Sequence, residues 1–374
     1  MTDKGYSVGV ITGYPKEYNK SNKIKKNENV NNINIKRLSY LQLKRSNFLG
    51  RLINYFSFTT SVLLNFRKLK NYKVIMVFSN PPILPIIGVL AKKIFKSKFV
   101  FVSYDVYPEM AIKTDTLTEN SIISKLMKFI NKFVFKNVDK VITLSEEMSD
   151  VLSNNRRYIK PQNIVDIPNW DTSKDISTQN KTNEKFNHLV DKTVISYFGN
   201  LGIAQDEEVI FNTINTLKNE SDYHFIFAGH GKKIELLREF VRENRIKNIS
   251  IYDFLHGQDF EEALAVTNYS LVSLKDGLHG LAVPSKTYTL LRAGIPIFAV
   301  MNKNSDIVKS LLKYNAGIHI DKENYNTVIE KLKTTTKQEN NQMKMNALKL
   351  YNEKYRRDLS TAKYIKVLNE LVEE

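Results

Sequence analysis

The chain of 374 residues contains no cysteine, one tryptophan, 9 prolines and 14 glycines. Without cysteine there is no disulfide framework, no thiolate zinc site and no Cys nucleophile, and the chain suits a reducing compartment. The sequence carries no DxD motif for a metal–diphosphate bridge. Its six histidines make no HExxH motif, and no G-x-S-x-G elbow is present, so neither a metal centre nor a serine hydrolase is expected. The N-terminus, MTDKGYSVGV, has no apolar stretch of signal-peptide length, which makes an intracellular protein the expectation. Leu52–Phe66 is a fifteen-residue run without charge. It is too short to span a bilayer comfortably, and an interfacial helix is the alternative to a plain crossover helix.

What the chain does have is apolar bulk and positive charge. Hydrophobic residues make up 42% of it, with 20 Phe and 19 Tyr, enough to build a core and to exclude disorder or a collagen-like class. The length points to two domains. The net charge of +17 is unevenly placed: residues 1–170 hold 28 Lys/Arg against 12 Asp/Glu, residues 171–374 hold 28 against 27. A field confined to one half draws in polyanions, whether nucleic acid, an anionic membrane face or a phosphorylated substrate.

Short β-branched runs alternate with helix-length segments throughout. In the first half the strands are expected at Tyr6–Thr12, Lys73–Phe78, Lys98–Tyr104, Lys140–Leu144 and Asn163–Ile167, with helices around 49–70, 83–95, 120–136 and 146–155. The second half repeats the pattern with strands at Thr193–Phe198, Tyr223–Ala228, Ile249–Tyr252, Tyr269–Ser273, Pro296–Val300 and Gly317–Ile320. This is a βαβ series in two α/β domains, joined by a polar stretch that cannot build a core. The boundaries expected are an N-terminal domain over 1–170, a linker over 171–192, a C-terminal domain over 193–355 and a terminal helix over 356–374 that packs back on the N-terminal domain. In doubly wound sheets ligands bind beyond the carboxyl ends of the strands, so the loops after strands are the candidates for chemistry.

Four such loops stand out. Gly199-Asn200-Leu201-Gly202 follows the strand VISYF and precedes a helix, where turn amides are available to an anion; an ordinary turn explains it about as well. Gly229 and Gly231 flank His230 after YHFIFA, most simply as a strand-to-helix turn. Val283-Pro284-Ser285-Lys286 opens a helix at which the Ser285 hydroxyl, the Lys286 ammonium and first-turn amides could converge on a phosphate, against the plain alternative of a Pro-started helix with an exposed lysine. Asp105 and Glu109 follow KFVFVSY, two carboxylates four apart in an otherwise basic half, placed to accept a proton or to bind sugar hydroxyls. Finally, Ser121–Asn137 carries Lys125, Lys128, Lys132 and Lys136 as one basic stripe on an apolar helix, the pattern of a membrane-surface element.

Taken together, SYDVYPE, TLSEEM, IPNW, YFGNLG, FAGHG and GLAVPSKTYTLLRAGIP, in that order and spacing, resemble the bacterial family 4 glycosyltransferases, in the branch that builds capsule, O-antigen and exopolysaccharide units. The resemblance runs from about residue 5 to the C-terminus. It implies an α/β GT-B fold, two Rossmann-like doubly wound domains facing across a cleft. It also implies metal-independent, retaining transfer from a nucleotide sugar, usually a UDP-sugar, to a lipid-diphosphate-linked saccharide, by a cytoplasmic enzyme peripheral on the inner membrane face and without a further cofactor.

The resemblance places the donor diphosphate near Gly199, Asn200, Gly202, Ser285 and Lys286, with Gly229 and Gly231 lining the same site and Asp105, Glu109 and Lys286 as catalytic candidates. The family's pair of Glu eight residues apart falls on Leu281 and Thr289, leaving Thr289 as the donor-binding candidate there. The strand GYSVGVITGYP resembles the family's second strand. The first strand, its Gly-rich loop and the first helix are therefore expected to be missing, with a sheet gap or an unpaired edge in their place. Two other readings stay open: a catalytically impaired family member serving as a scaffold for an intact transferase, and, ranked last for want of any motif, a nucleic-acid-binding protein.

Overall fold

The computed structural model describes residues 1–15, 24–44, 48–172 and 185–373. Most of the expected linker, 173–184, lies outside them. The chain divides into two compact units. The first comprises Met1–Leu144, Ser149–Ile167 and Thr361–Glu374, and the second Ser145–Met148 and Pro168–Ser360.

The first unit contains two separate sheets. β1 (Val8–Gly13), β2 (Asn27–Val30) and β3 (Ile33–Leu38) form one, in the order β1-β3-β2. β1 runs parallel to β3, and β2 and β3 are an antiparallel hairpin. That hairpin is absent from the sequence-based expectation, yet its signal is there: Asn31 and Asn32, between NENV and INIKRL, both take positive φ (50° and 62°), as a two-residue hairpin turn requires. β4 (Val74–Phe78), β5 (Lys98–Val102), β6 (Lys140–Thr143) and β7 (Ile164–Asp166) form the second sheet, all parallel and in chain order. No ladder joins the sheets among the described residues, so β1 and β4 are each unpaired along one edge, and Val10 on β1 is 39% exposed.

The second unit is one parallel sheet of six strands, β8 (Thr193–Phe198), β9 (Tyr223–Ala228), β10 (Ile249–Tyr252), β11 (Tyr269–Ser273), β12 (Ile297–Val300) and β13 (Gly317–Ile320). The order is β10-β9-β8-β11-β12-β13, that is 3-2-1-4-5-6, the dinucleotide-binding arrangement. All six residues of β9 are buried, as suits a central parallel strand covered on both faces. Ile195, Tyr197, Phe225, Phe227, Leu271 and Phe298 supply the middle of the core. The direction of winding reverses between β8 and β11, and the loops at their carboxyl ends are where this topology opens a crevice. Gly199–Gly202 is the loop after β8.

Candidate active site

At the switch point of the second unit, Tyr197 on β8 is fully buried and its hydroxyl donates to the Asn200 carbonyl (2.7 Å). This tie folds the loop over the end of its own strand. Gly199 has φ +106°, and the loop packs so closely on the turn after β9 that a Cβ at Gly229 would strike the Gly199 carbonyl oxygen, and one at Gly231 the Leu201 carbonyl. Close packing of the two loops is reason enough for glycine at 229 and 231.

The amides expected to receive an anion are mostly engaged. The Gly199 N–H donates to Ala228 (2.8 Å), that of Leu201 to His230 (2.7 Å) and that of Gly202 to the Gln205 side chain (2.7 Å). Gly202 is thus removed from the set of free donors, while Asn200 stays exposed at the loop's tip.

Lys286 supplies what the amides do not. It opens the short helix Lys286–Arg292, and its Nζ sits 3.9 Å from the centroid of the Tyr197 ring. A Cβ built on Gly199 would lie 3.5 Å from the same atom. This Nζ is buried and, among the described residues, has no hydrogen-bond partner. Burial pulls the ammonium down to about 7. A cation over a tyrosine face recovers part of the desolvation cost. What remains is a buried donor without an acceptor, aimed at the Gly199 loop. The helix start differs from its sequence-based description. The N–H groups of Thr287 and Tyr288 close onto Pro284 and Ser285, and the exposed Ser285 makes no side-chain cap.

The Thr289 hydroxyl is engaged by a neighbouring carboxylate. It donates to Asp171 (2.8 Å), whose other oxygen is paired with Arg292 (2.8 Å). The Asp171 side chain is only 4% exposed, so the residue expected to begin a loose linker instead anchors the helix that carries Lys286. Leu281, at the other Glu position, is buried in the core.

Two features escaped the sequence-based reading. Phe254, 54% exposed, stacks between His230 (5.1 Å) and His256 (5.5 Å), an aromatic platform beyond β9 and β10. The signal, one phenylalanine in the short loop 253–257, is too common to single out. In the segment before Lys286, His279 Nδ1 lies 3.5 Å from the Glu147 carboxylate, which accepts the Asp306 N–H (2.7 Å) and is pushed up to about 7 by burial.

In the first unit, Asp105 lies in the loop after β5 and lines a small pocket with Ser79, Ser103, Tyr107 and Asn131. Burial raises its carboxyl above the ordinary range, the direction a general base needs. Glu109 has a different fate. Its two oxygens take both Arg156 terminal nitrogens (2.7 and 2.8 Å), and Arg156 also donates to the Tyr107 carbonyl (3.2 Å). A fork-to-fork pair of this kind holds the loop in place, so Glu109, expected as a catalytic candidate, is engaged by Arg156.

The helix Ile122–Asn137 presents Lys125, Lys128, Lys132 and Lys136 to solvent. Between them Ile122 (84%), Leu126 (46%) and Phe129 (71%) are exposed as well, while Ser124, Val134 and Phe135 face inward. Lys128 makes a solvent-exposed pair with Glu119 (3.1 Å), an interaction of small worth. Among the described residues no helix is long and apolar enough to cross a membrane, and no three His, Asp or Glu gather to hold a metal.

No protein-family model matches the sequence. Over 247 residues the chain is 28% identical to a protein of Pseudomonas aeruginosa described as "Probable glycosyltransferase WbjE", an alignment covering 65% of this chain and 61% of that protein. The chain therefore spans about three-fifths of that relative's length. Among solved structures it is similar to Anabaena HepE in complex with UDP and glucose (TM-score 0.67, 11% identity, 91% of this chain and 87% of that one). It is also similar to WaaG, a glycosyltransferase involved in lipopolysaccharide biosynthesis (TM-score 0.64, 12% identity, 94% and 88%). The fold is GT-B, α/β with two Rossmann-like units built on parallel sheets.

Proposed function

We propose that this protein is a glycosyltransferase that moves a sugar from a UDP-sugar to a lipid-diphosphate-linked saccharide during bacterial surface polysaccharide synthesis. The observation that carries the reading is the buried, unpartnered Lys286 ammonium beside the Gly199 loop. A cation held without a counter-ion in a low-dielectric site is a receptor for an anion that arrives later. Its place at the switch point of a 3-2-1-4-5-6 sheet suits a nucleotide diphosphate. The Phe254 platform suits a base that stacks. The P. aeruginosa relative and the UDP-bound HepE structure support the same chemistry.

In this mechanism Lys286 and Asn200 hold the diphosphate. Lys286 gains most as the anomeric bond breaks and the leaving group acquires further negative charge. Asp105, with its raised carboxyl, is the candidate to take the acceptor's proton. The reading includes metal-independent transfer with retention of configuration. The lysine face of Ile122–Asn137, with its exposed apolar residues, supports the reading that the protein works on an anionic inner membrane face, where a lipid-linked acceptor resides.

Calorimetric titration with UDP, with and without EDTA, tests the donor half of the reading. Equal affinities are expected, and a strict requirement for Mg²⁺ or Mn²⁺ overturns it. The unpaired edges of β1 and β4 favour one further reading, a family member that binds UDP but relies on an intact transferase for turnover. UDP binding without transfer to any lipid-linked acceptor selects it.

A further inference from the structure

Lys233 stands second in the helix Lys232–Glu243, two residues beyond Gly231, and folding buries it, with its side chain 9% exposed. A buried ammonium must find acceptors for its N–H groups or give up its charge. Lys233 finds them in the segment that follows β8. Its Nζ donates to the Gln205 carbonyl (2.6 Å) and pairs with the Glu207 carboxylate, while its backbone N–H donates to the Leu201 carbonyl (3.0 Å).

Leu201, Gln205 and Glu207 thus converge on one residue. Gln205 passes the tie on, because its side-chain oxygen holds the Gly202 N–H (2.7 Å) while its carbonyl is held by Lys233. The other side of the loop is fastened at and beyond β11, where the Ala204 carbonyl accepts the Lys275 N–H (2.7 Å) and the Asp206 N–H donates to Ser273 Oγ (2.8 Å). Those two bonds use main-chain groups of the loop alone. The Lys233 ammonium is different, since it adds a charge-assisted bond at a buried place, about twice as strong as a neutral one. The loop so held begins at Gly199, where a Cβ would lie 3.5 Å from Lys286 Nζ. The charged groups about Lys233 are Glu207 and, acting on Glu207, Lys275. Lys286 faces the Tyr197 ring, and burial is what lowers its ammonium.

We propose that Lys233 is a positioning residue, whose ammonium holds residues 199–207 closed over Lys286 Nζ and keeps that amine out of water. Lys233 touches no substrate and acts through the loop. The consequence for donor binding rests on the reading of Lys286 as the diphosphate's cation, whereas the closure itself belongs to the unliganded chain. Once the loop is loosened, water reaches the Lys286 amine and its desolvation is relieved.

The test uses the full chain with selectively labelled lysines, read by NMR, with Lys286 identified by the signal lost in Lys286→Met. The Lys286 midpoint, about 7 in the parent, should rise above about 9 in Lys233→Met, toward the roughly 10.4 of a free lysine. Lys233→Arg, which keeps a cation with donors for Gln205 and Glu207, should hold it near the parent value. Lys233→Met strands the Glu207 carboxylate, so Lys233→Met with Glu207→Gln removes both charges and protects folding, and its midpoint should rise as in the single variant. Thermal unfolding identifies the variants that are folded. UDP-glucose affinity between pH 6 and 8 gives a second readout: it should fall about tenfold in the parent and less than about twofold in either Met variant. A merely structural lysine would lower Tm and leave the Lys286 midpoint and the pH profile where they were. That result in a folded variant overturns the proposal. If the unmutated protein does not bind UDP, the donor reading falls, and the midpoint measured without ligand still decides the role of Lys233.

Discussion

The two units treat positive charge in opposite ways. Residues 1–170 carry a net +16, with lysines set out in solvent beside exposed Ile122, Leu126, Phe129 and Leu64. The second unit is almost neutral and, among the described residues, buries one lysine tip without a hydrogen-bond partner, Lys286 Nζ against Tyr197. The contrast separates two physical uses of the same side chain. Exposed lysines act collectively and through a screened field, so they suit an extended surface and lose strength with salt. A buried lysine acts alone at short range, where desolvation has already been met by the fold and an arriving anion meets a strong, fixed charge.

The sharpest way to break this contrast is Lys286→Met. Turnover should fall about 10²–10³-fold, with UDP-sugar affinity reduced far less, as read from kcat and from the binding constant separately. Equal losses in both would reduce Lys286 to a uniform binding contact. The same variant should be more stable than the parent. The folded ammonium is pulled down to about 7 while the unfolded one titrates near its ordinary value. Below about 7 the unfolded chain gains nothing from pH, and between there and about 10 stability rises with pH as the folded protein sheds a proton the unfolded chain keeps. Removing the amine relieves that penalty at neutral pH, and each 1 kcal/mol relieved should raise Tm by about 2–4 °C.

On the other side, replacing Lys125, Lys128, Lys132 and Lys136 by Gln should release the protein from anionic vesicles by more than about a hundredfold at low salt, in a sedimentation assay. Catalysis on a soluble acceptor analogue should be untouched. If binding survives the loss of all four charges, the exposed stripe is ordinary surface.

Glu109 tests whether a carboxylate in the basic unit is chemical or structural. Glu109→Ala strands the buried Arg156 guanidinium, whose side chain is 7% exposed, and should cost about 3 kcal/mol of stability in denaturant unfolding. At a temperature where the variant is fully folded, turnover should be close to normal, whereas Asp105→Asn should lose it.

The smallest effect concerns pH. Raising pH from 6 to 8 takes Lys286 through its midpoint near 7, so the affinity for UDP-glucose, whose diphosphate has no proton to lose in that range, should fall by about tenfold. Lys286→Met should flatten the profile.

Much of the architecture was readable beforehand because it rests on local rules. Runs such as VISYF and YHFIFA are buried parallel strands by composition alone, and the four helices expected in the first half correspond to observed helices within a few residues. The β2–β3 hairpin was missed because its strands, NENV and INIKRL, are polar and short, and only the Asn31-Asn32 turn marks them. The candidate site was legible as a set of loops but not as a set of donors. Nothing in Gly199-Asn200-Leu201-Gly202 reveals that its amides are taken by Ala228, His230 and Gln205, since those partners lie up to thirty residues away.

The amino-acid sequence by itself determined the α/β class, the alternation of strand and helix, the concentration of charge in the first half and the loops at which chemistry is available. Each follows from periodicity, composition or turn geometry within a few residues. Only tertiary structure decided which polar groups remain unpaired. It consumed Glu109 with Arg156 and Thr289 with Asp171, and among the described residues it left the buried Lys286 Nζ without a hydrogen-bond partner. Pairing depends on distances between residues far apart in the chain, and a site is made by the donors that folding leaves over.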